Sequence, residues 1–154
     1  MKINKLNNLS INQKLEILNL WNHEYPENLK YQSLTDFENY LNNLTEPEHY
    51  ILLNSDHKIR AWAFTFIRAH EKWFAIIVSS ELQKKGIGTQ LLNRLKSEEK
   101  ILNGWVIDSE NYTKTNGEKY KSPLNFYVKN NFKILTETRL ELETISAVKI
   151  NWTL

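Results

Sequence analysis

The sequence predicts a single mixed α/β domain over residues 1–154, a mostly antiparallel sheet of about seven strands flanked by four helices. Three observations predict it. Residues 49–79 hold three runs rich in β-branched and aromatic side chains, separated by links short enough for hairpins. Apolar residues recur at helical spacing in other segments, among them 11–21, 37–44 and 87–95. The last of these lies between two strand candidates, which makes that pair parallel, since parallel neighbours need a crossover connection. No internal repeat and no linker divides the chain.

Residues 2–6 suit a short strand. Ser10 suits an N-cap, and INQKLEILNLW then puts Ile11, Leu15, Leu18 and either Ile17 or Trp21 on one helical face. Pro26 breaks that pattern. A second helix opens at Thr35 or Asp36, with Phe37, Tyr40, Leu41 and Leu44 at helical spacing, and Pro47 closes it. HYILLN (49–54), IRAWAFTFIR (59–68) and WFAIIVS (73–79) form an antiparallel meander, with the aromatics of 61–66 mostly in the core. Ile87, Leu91 and Leu95 make the stripe of an amphipathic helix; Gly104 suits its end, and WVIDS (105–109) is the parallel partner of 73–79. The link ENYTKTNGEKYK (110–121) is long and polar, which is more typical of a functional loop than of a plain connection. Ser122-Pro123 reads as N-cap and first residue of a helix carrying Leu124, Tyr127 and Val128. Strands over about 133–143 and 145–153 follow, with Val148, Ile150, Trp152 and Leu154 alternating along the second.

With 41% hydrophobic and 12% aromatic residues, the chain can bury a core and is not of the disordered class. A net charge of +2 gives no cause to expect nucleic acid or an anionic membrane as partner. Without cysteine there are neither disulfides nor thiolate metal sites, and the four histidines have no metal-ligand spacing. The start MKINKLNNLSINQK has no signal-peptide core, and no apolar run approaches the roughly 20 residues of a membrane helix. The expectation is a cytoplasmic domain with no metal, no membrane and no nucleic acid. The terminal strands leave open a homodimer paired across a two-fold axis.

Two of only four glycines, Gly86 and Gly88, stand ahead of a helix in VSSELQKKGIGTQLLNRLK (78–96). A turn needing positive φ explains one of them. The second sits in the first helical turn, where glycine costs up to about 1 kcal/mol relative to alanine. A close approach of another molecule to bare backbone would offset that cost. First-turn N–H groups lack intrahelical acceptors and the dipole adds positive potential, which together make a phosphate site. A Walker loop is excluded because no Gly-Lys-Ser or Gly-Lys-Thr follows. A dinucleotide fingerprint is excluded because Leu91 stands where its third glycine belongs.

Gln83-Lys84-Lys85-Gly86-Ile87-Gly88 resembles the signature of the GCN5-related N-acetyltransferases: Gln or Arg, two residues, Gly, one residue, then Gly or Ala, between a strand and a helix. The order of elements above matches that fold from end to end, and VSSELQKKGIG is similar to the histone-acetyltransferase version of the motif. FYVKNNF (126–132) resembles the family's Tyr-x-x-x-Gly-Phe segment, with Asn131 in place of glycine.

The resemblance implies an acetyl-CoA-dependent transferase in which strands 73–79 and 105–109 splay to admit the pantetheine arm. It implies that the backbone of Ile77 and Val78 pairs with that arm, and that Gln83 and the amides of Lys84, Lys85, Gly86, Ile87, Gly88 and Thr89 wrap the diphosphate. A backbone N–H near Val78 would polarise the thioester carbonyl. Lys84 and Lys85 could reach phosphate oxygens, although two solvated loop lysines is the plainer reading. Tyr127 matches the family's acid for the departing thiolate; the plainer reading is a core tyrosine. Tyr120 stands where the family often has an Asn that touches CoA, so that contact is lost or falls to Ser122 or Asn125. Lys72 stands where histone-type relatives carry a basic Glu, with Glu71 beside it. Asp108, at the strand end beside the splay, lies within a residue of where relatives acting on protein N-termini place a Glu, so the resemblance makes it a candidate for base or water-orienting group, against its ordinary role as a solvated strand-end residue. His70, in a hairpin turn, is a remote candidate for substrate contact. The acceptor amine would be bound by the two N-terminal helices, the 110–121 loop and the last hairpin. A non-catalytic acyl-CoA sensor keeps the same coenzyme site. A nucleic-acid binder using Lys84, Lys85, Arg94, Lys96 and Lys100 is disfavoured, because Glu98 and Glu99 interleave with them.

Overall fold

The apolar runs pair as strands of one seven-stranded sheet, in the order β1-β2-β3-β4-β5-β7-β6. The structure, a computed structural model, describes residues 2–154. The strands are β1 (Ile3–Leu6), β2 (Thr45–Leu53), β3 (Ile59–Arg68), β4 (Glu71–Val78), β5 (Ile101–Val106), β6 (Lys133–Glu141) and β7 (Ser146–Thr153). Helices α1 (Ile11–Glu24) and α2 (Leu34–Asn42) cover one face, α3 (Ile87–Glu98) and α4 (Leu124–Lys129) the other. Every strand pairing is antiparallel except β4 with β5. No described helix is long and apolar enough to cross a membrane.

Ser10 caps α1 in a reciprocal box: Gln13 N–H donates to Ser10 Oγ and Ser10 N–H to Gln13 Oε1. The buried stripe is Ile17, Leu18, Leu20 and Trp21, while Ile11 is 64% and Leu15 41% exposed, contrary to expectation. The Trp21 ring sets that rotation. It lies within 4.7–6.4 Å of the rings of Tyr25, Tyr31, Phe37, Tyr40 and Trp62, a cluster that turns the first two helical turns of the stripe outward. Trp62, Phe64 and Phe66 of β3 are buried, as their alternation predicts.

Pro47 does not close α2, which ends at Asn42; it lies inside β2. The ladder shifts register between Thr45 and Glu48, and at that bulge a missing N–H breaks no pairing. Gly104 likewise does not end α3. The helix stops at Glu98, β5 begins at Ile101, and Gly104 lies mid-strand, where a Cβ would sit 3.0 Å from a Phe74 ring carbon. Helix α4 starts at Leu124, and of its predicted apolar face only Tyr127 is buried; Val128 is exposed. Along β7, Val148, Ile150 and Trp152 are buried, but Leu154 lies exposed beyond its end.

β4 and β5 meet at a single pair, Trp73 with Asn103, and their later residues do not pair. Fully buried Asn103 fastens that junction. Its Nδ2 donates to Lys72 O at 3.1 Å and its Oδ1 accepts from Asn151 Nδ2 at 2.9 Å. The sheet is therefore closed at one end of the parallel pair and open at the other.

Candidate active site

After β4 the chain makes a 3-10 turn (Ser80–Leu82) and reaches the glycine segment. Lys84 (φ 64°) and Gly86 (φ 80°) both take left-handed conformations, and Gly86 is the N-cap of α3 with no side-chain cap. A Cβ at Gly86 would meet nothing within 4 Å, and Gln83, Lys84, Lys85 and Gly86 are all exposed. The first-turn amides of Ile87, Gly88 and Thr89 thus face an open surface with the helix dipole behind them. Gly88 differs from what the sequence suggested. A Cβ there would lie 3.1 Å from Phe126 Cζ, so the close approach of α4 by itself accounts for a glycine at this position.

The open end of the parallel pair lies beside this loop. Ser79 N–H donates to Arg60 O, which makes residues 79 and 60 a hydrogen-bonded pair with β3. By antiparallel alternation, the backbone groups of Ile77 also face β3, whereas those of Ile76 and Val78 face the gap. Gln83 Nε2 donates to Val78 O at 3.0 Å and folds the turn back onto the strand. The free edge thus belongs to Ile76 and to the Val78 N–H, while the Ile77 backbone is directed away from it.

Tyr127 packs against Phe74, Phe126 and Phe132, with ring centroids 5.0–5.7 Å apart. Burial, with a smaller contribution from nearby Tyr120, pushes its pKa well above the ordinary phenolic value. It is both a core residue and a phenol that stays protonated. Ser122 is used internally: its hydroxyl donates to Ile107 O at 2.6 Å and accepts from Leu124 N–H at 3.2 Å. Asn125 is exposed on α4.

Asp108 lies in a bidentate ion pair. Arg139 holds both its carboxylate oxygens, Nη1 to Oδ2 at 2.9 Å and Nη2 to Oδ1 at 3.0 Å, and lowers its pKa. A carboxylate so held is a weaker proton acceptor. Lys72 lies 3.1 Å from Glu99 and 3.4 Å from Glu48, a surface ion-pair network. His70 occupies the β3–β4 turn at the far end of β4, roughly 25 Å of strand from the glycine loop, too far for substrate contact at that loop.

An open cleft of about 820 Å³ runs beside the start of the loop, between α1, the beginning of β3 and residues 79–81. Its floor holds a charged contact that no motif announced. Glu24, 5% exposed, accepts from Ser80 and from Lys114 of the 110–121 loop. The one trace in the sequence is an acidic residue at a helix C-terminus, where the dipole disfavours it. The described residues contain no group of three or more His, Cys, Asp or Glu able to hold a metal ion.

A family model described as an acetyltransferase (GNAT) domain matches residues 46–134, more than half of the chain. An aminoglycoside 6'-N-acetyltransferase solved with coenzyme A superposes with a TM-score of 0.74 at 16% identity, covering 99% of this chain and 97% of that one. The aminoglycoside 6'-N-acetyltransferase from Enterococcus faecium gives 0.70 at 16% identity, with 99% and 97% covered. A ribosomal-protein-alanine N-acetyltransferase from Brucella melitensis gives 0.68 at 12% identity over 100% of both chains. At such identities these likenesses concern the fold. No curated protein matches by sequence.

Proposed function

We propose, from the premise that the chain belongs to the GNAT acetyltransferase family, that it transfers an acetyl group from acetyl-CoA to a primary amine. The observation that carries this reading is the uncapped, exposed N-terminus of α3, entered through left-handed Gly86 at the open end of the β4–β5 pair. The residues fit the coenzyme. Unpartnered first-turn amides suit a diphosphate, and the backbone edge of Ile76 and Val78 suits an extended amide-bearing arm. The amides of residues 84–89 would hold the diphosphate, with Lys84 and Lys85 as adjacent exposed cations.

Acetyl-CoA supplies an acyl group activated as a thioester. In the transfer a C–N bond forms and a C–S bond breaks, one proton leaves nitrogen and one reaches sulfur. Tyr127 Oη is the hydrogen-bond donor we assign to the departing sulfur, since a phenol kept protonated by burial can donate to its developing charge, and the proton that sulfur takes up comes from solvent. The Val78 N–H is the donor we assign to the carbonyl oxygen. With Asp108 held by Arg139, proton removal from the amine falls to water or to the acceptor's own groups. The structural relatives act on amines as different as an aminoglycoside and a ribosomal-protein alanine, so what they support in common is the amine.

The locked Asp108 also favours a second reading, a non-catalytic acyl-CoA sensor built on the same loop. A thermal melt tests both. CoA at 100 times its dissociation constant stabilises by about 2.7 kcal/mol. For a domain of this size that raises the midpoint by about 5–10 °C. No shift at saturating CoA sinks both readings. Given a shift, amine-dependent thiol release identifies the enzyme, and thiol release no faster than hydrolysis across a panel of amines identifies the sensor.

A further inference from the structure

Glu24 is the last residue of α1, where the dipole disfavours negative charge, and it is buried. A carboxylate so placed destabilises the fold unless hydrogen bonds and a counter-charge compensate. Both come from segments distant in sequence. Ser80 N–H donates to Oε2 at 2.8 Å, and the Ser80 hydroxyl lies 2.6 Å from Oε1 and 2.9 Å from Oε2. Lys114 Nζ lies 3.1 Å from Oε1 and 3.4 Å from Ser80 Oγ.

Ser80 opens the 3-10 turn that leads into the glycine loop, and Ser79 gives that turn no side-chain cap. Glu24 caps it from another element. Gln83, at the far end of the same turn, is fastened to Val78 O. The 110–121 loop is bound to the same end of α1 by Glu27 N–H to Thr113 O (2.8 Å) and Thr115 Oγ1 to Asn22 O (3.3 Å), with Lys114 turned inward between them. One carboxylate therefore joins the approach to the glycine loop with the loop that walls the cleft.

We propose that Glu24 is a positioning residue for the coenzyme. It fixes Ser80, and through the turn it orients the amides of 84–89; Lys114 ties the 110–121 loop to the same point. The inference rests on the coenzyme reading of that loop. Glu24 acts through Ser80, so its effect is on how well the amides are presented.

The test combines calorimetric titration with CoA and hydrogen exchange of the unliganded protein, on the wild type and on Glu24→Gln. The glutamine keeps the shape, loses the charge facing Lys114, and cannot accept at both oxygens. CoA binding is expected to weaken about tenfold, the cost of ordering on binding a turn that the wild type holds preorganised. Exchange is expected to accelerate in 80–89 and 113–116 while β3 stays within about twofold of wild type. Ser80→Ala, which keeps the backbone donor, should weaken CoA by about threefold, and it decides the matter if Glu24→Gln does not fold. CoA affinity within twofold of wild type in the deciding variant overturns the proposal. So does weaker binding without local acceleration, or acceleration spread evenly through β3. A wild type that binds no CoA refutes the coenzyme reading itself, and that result is in hand before any variant is compared.

Discussion

A phenol can serve as donor to a leaving sulfur only while it carries its proton, and burial among Phe74, Phe126 and Phe132 keeps Tyr127 protonated far into the alkaline range. The same elevation limits full proton transfer, since a thiol's ordinary pKa of about 8.5 lies below it. Its contribution is therefore a strong hydrogen bond to developing charge. Tyr127→Phe keeps the ring and the packing and removes only that donor. Turnover should fall about 100-fold, with CoA affinity within about twofold of wild type. Steady-state thiol release together with calorimetry checks it, and unchanged turnover with chemistry rate-limiting would leave Tyr127 a core residue only. The place of Tyr127 on α4 was legible because FYVKNNF is a local pattern. The setting of Asp108 was not legible for the converse reason: it depends on Arg139, 31 residues away, which reaches it only after β6 and β7 have paired beside β5. Glu24 was invisible on the same grounds, its partners lying 56 and 90 residues on.

The start of helix α3 shows how two glycines separated by one residue serve different ends. Gly86 supplies a left-handed cap in open space; Gly88 supplies clearance for Phe126 of α4. The sequence pattern locates both, but cannot tell a ligand from a neighbouring ring as the object that approaches. Gly88→Ala gains up to about 1 kcal/mol of helix propensity and overpacks against Phe126 at a cost of about 1–3 kcal/mol. The net expectation is a loss of about 1 kcal/mol, a midpoint lower by about 2–4 °C. In a Phe126→Leu background the same change should stabilise instead. Four melts form the cycle, and an equal rise in both backgrounds would show that the ring exerts no constraint. The meander was legible to the residue in β3, where β-branched and aromatic runs meet short turns. The start of β5 was not, because Ile101–Gly104 continues the helical apolar spacing and Gly104 resembles a helix stop. What places it in a strand is its pairing with β7, distant in sequence, and the Phe74 ring on the neighbouring strand accounts for the glycine there.

The whole molecule is one sheet with a separate core on each face, opened at one end of its parallel pair and stapled at the other by Asn103. Its cohesion can be read through His49, which lies in β2 between β1 and β3 and beneath the aromatic layer of α1 and α2. His49 Nδ1 accepts from Trp62 Nε1 at 3.1 Å, and burial pushes its pKa down from 6.5 to about 4. The native state therefore holds a neutral imidazole, while the unfolded chain takes up a proton as pH falls through 6.5. Stability from this group is complete above about pH 7.5, declines from there, and is fully lost below about pH 4. Between pH 7.5 and 5 the linkage amounts to about 2 kcal/mol. The carboxylates with lowered values, Glu48, Glu98, Asp108 and Glu141, are also stabilised in the charged state. Their contribution disappears at lower pH, as the pH falls below each group's ordinary value toward its folded one, so the upper window belongs to His49. Urea unfolding across pH 7.5 to 5 should show the decline in the wild type. His49→Asn, whose amide oxygen takes the place of Nδ1 as acceptor for Trp62, should be nearly flat. Equal slopes in the two proteins would mean that the pH dependence in this window does not come from His49.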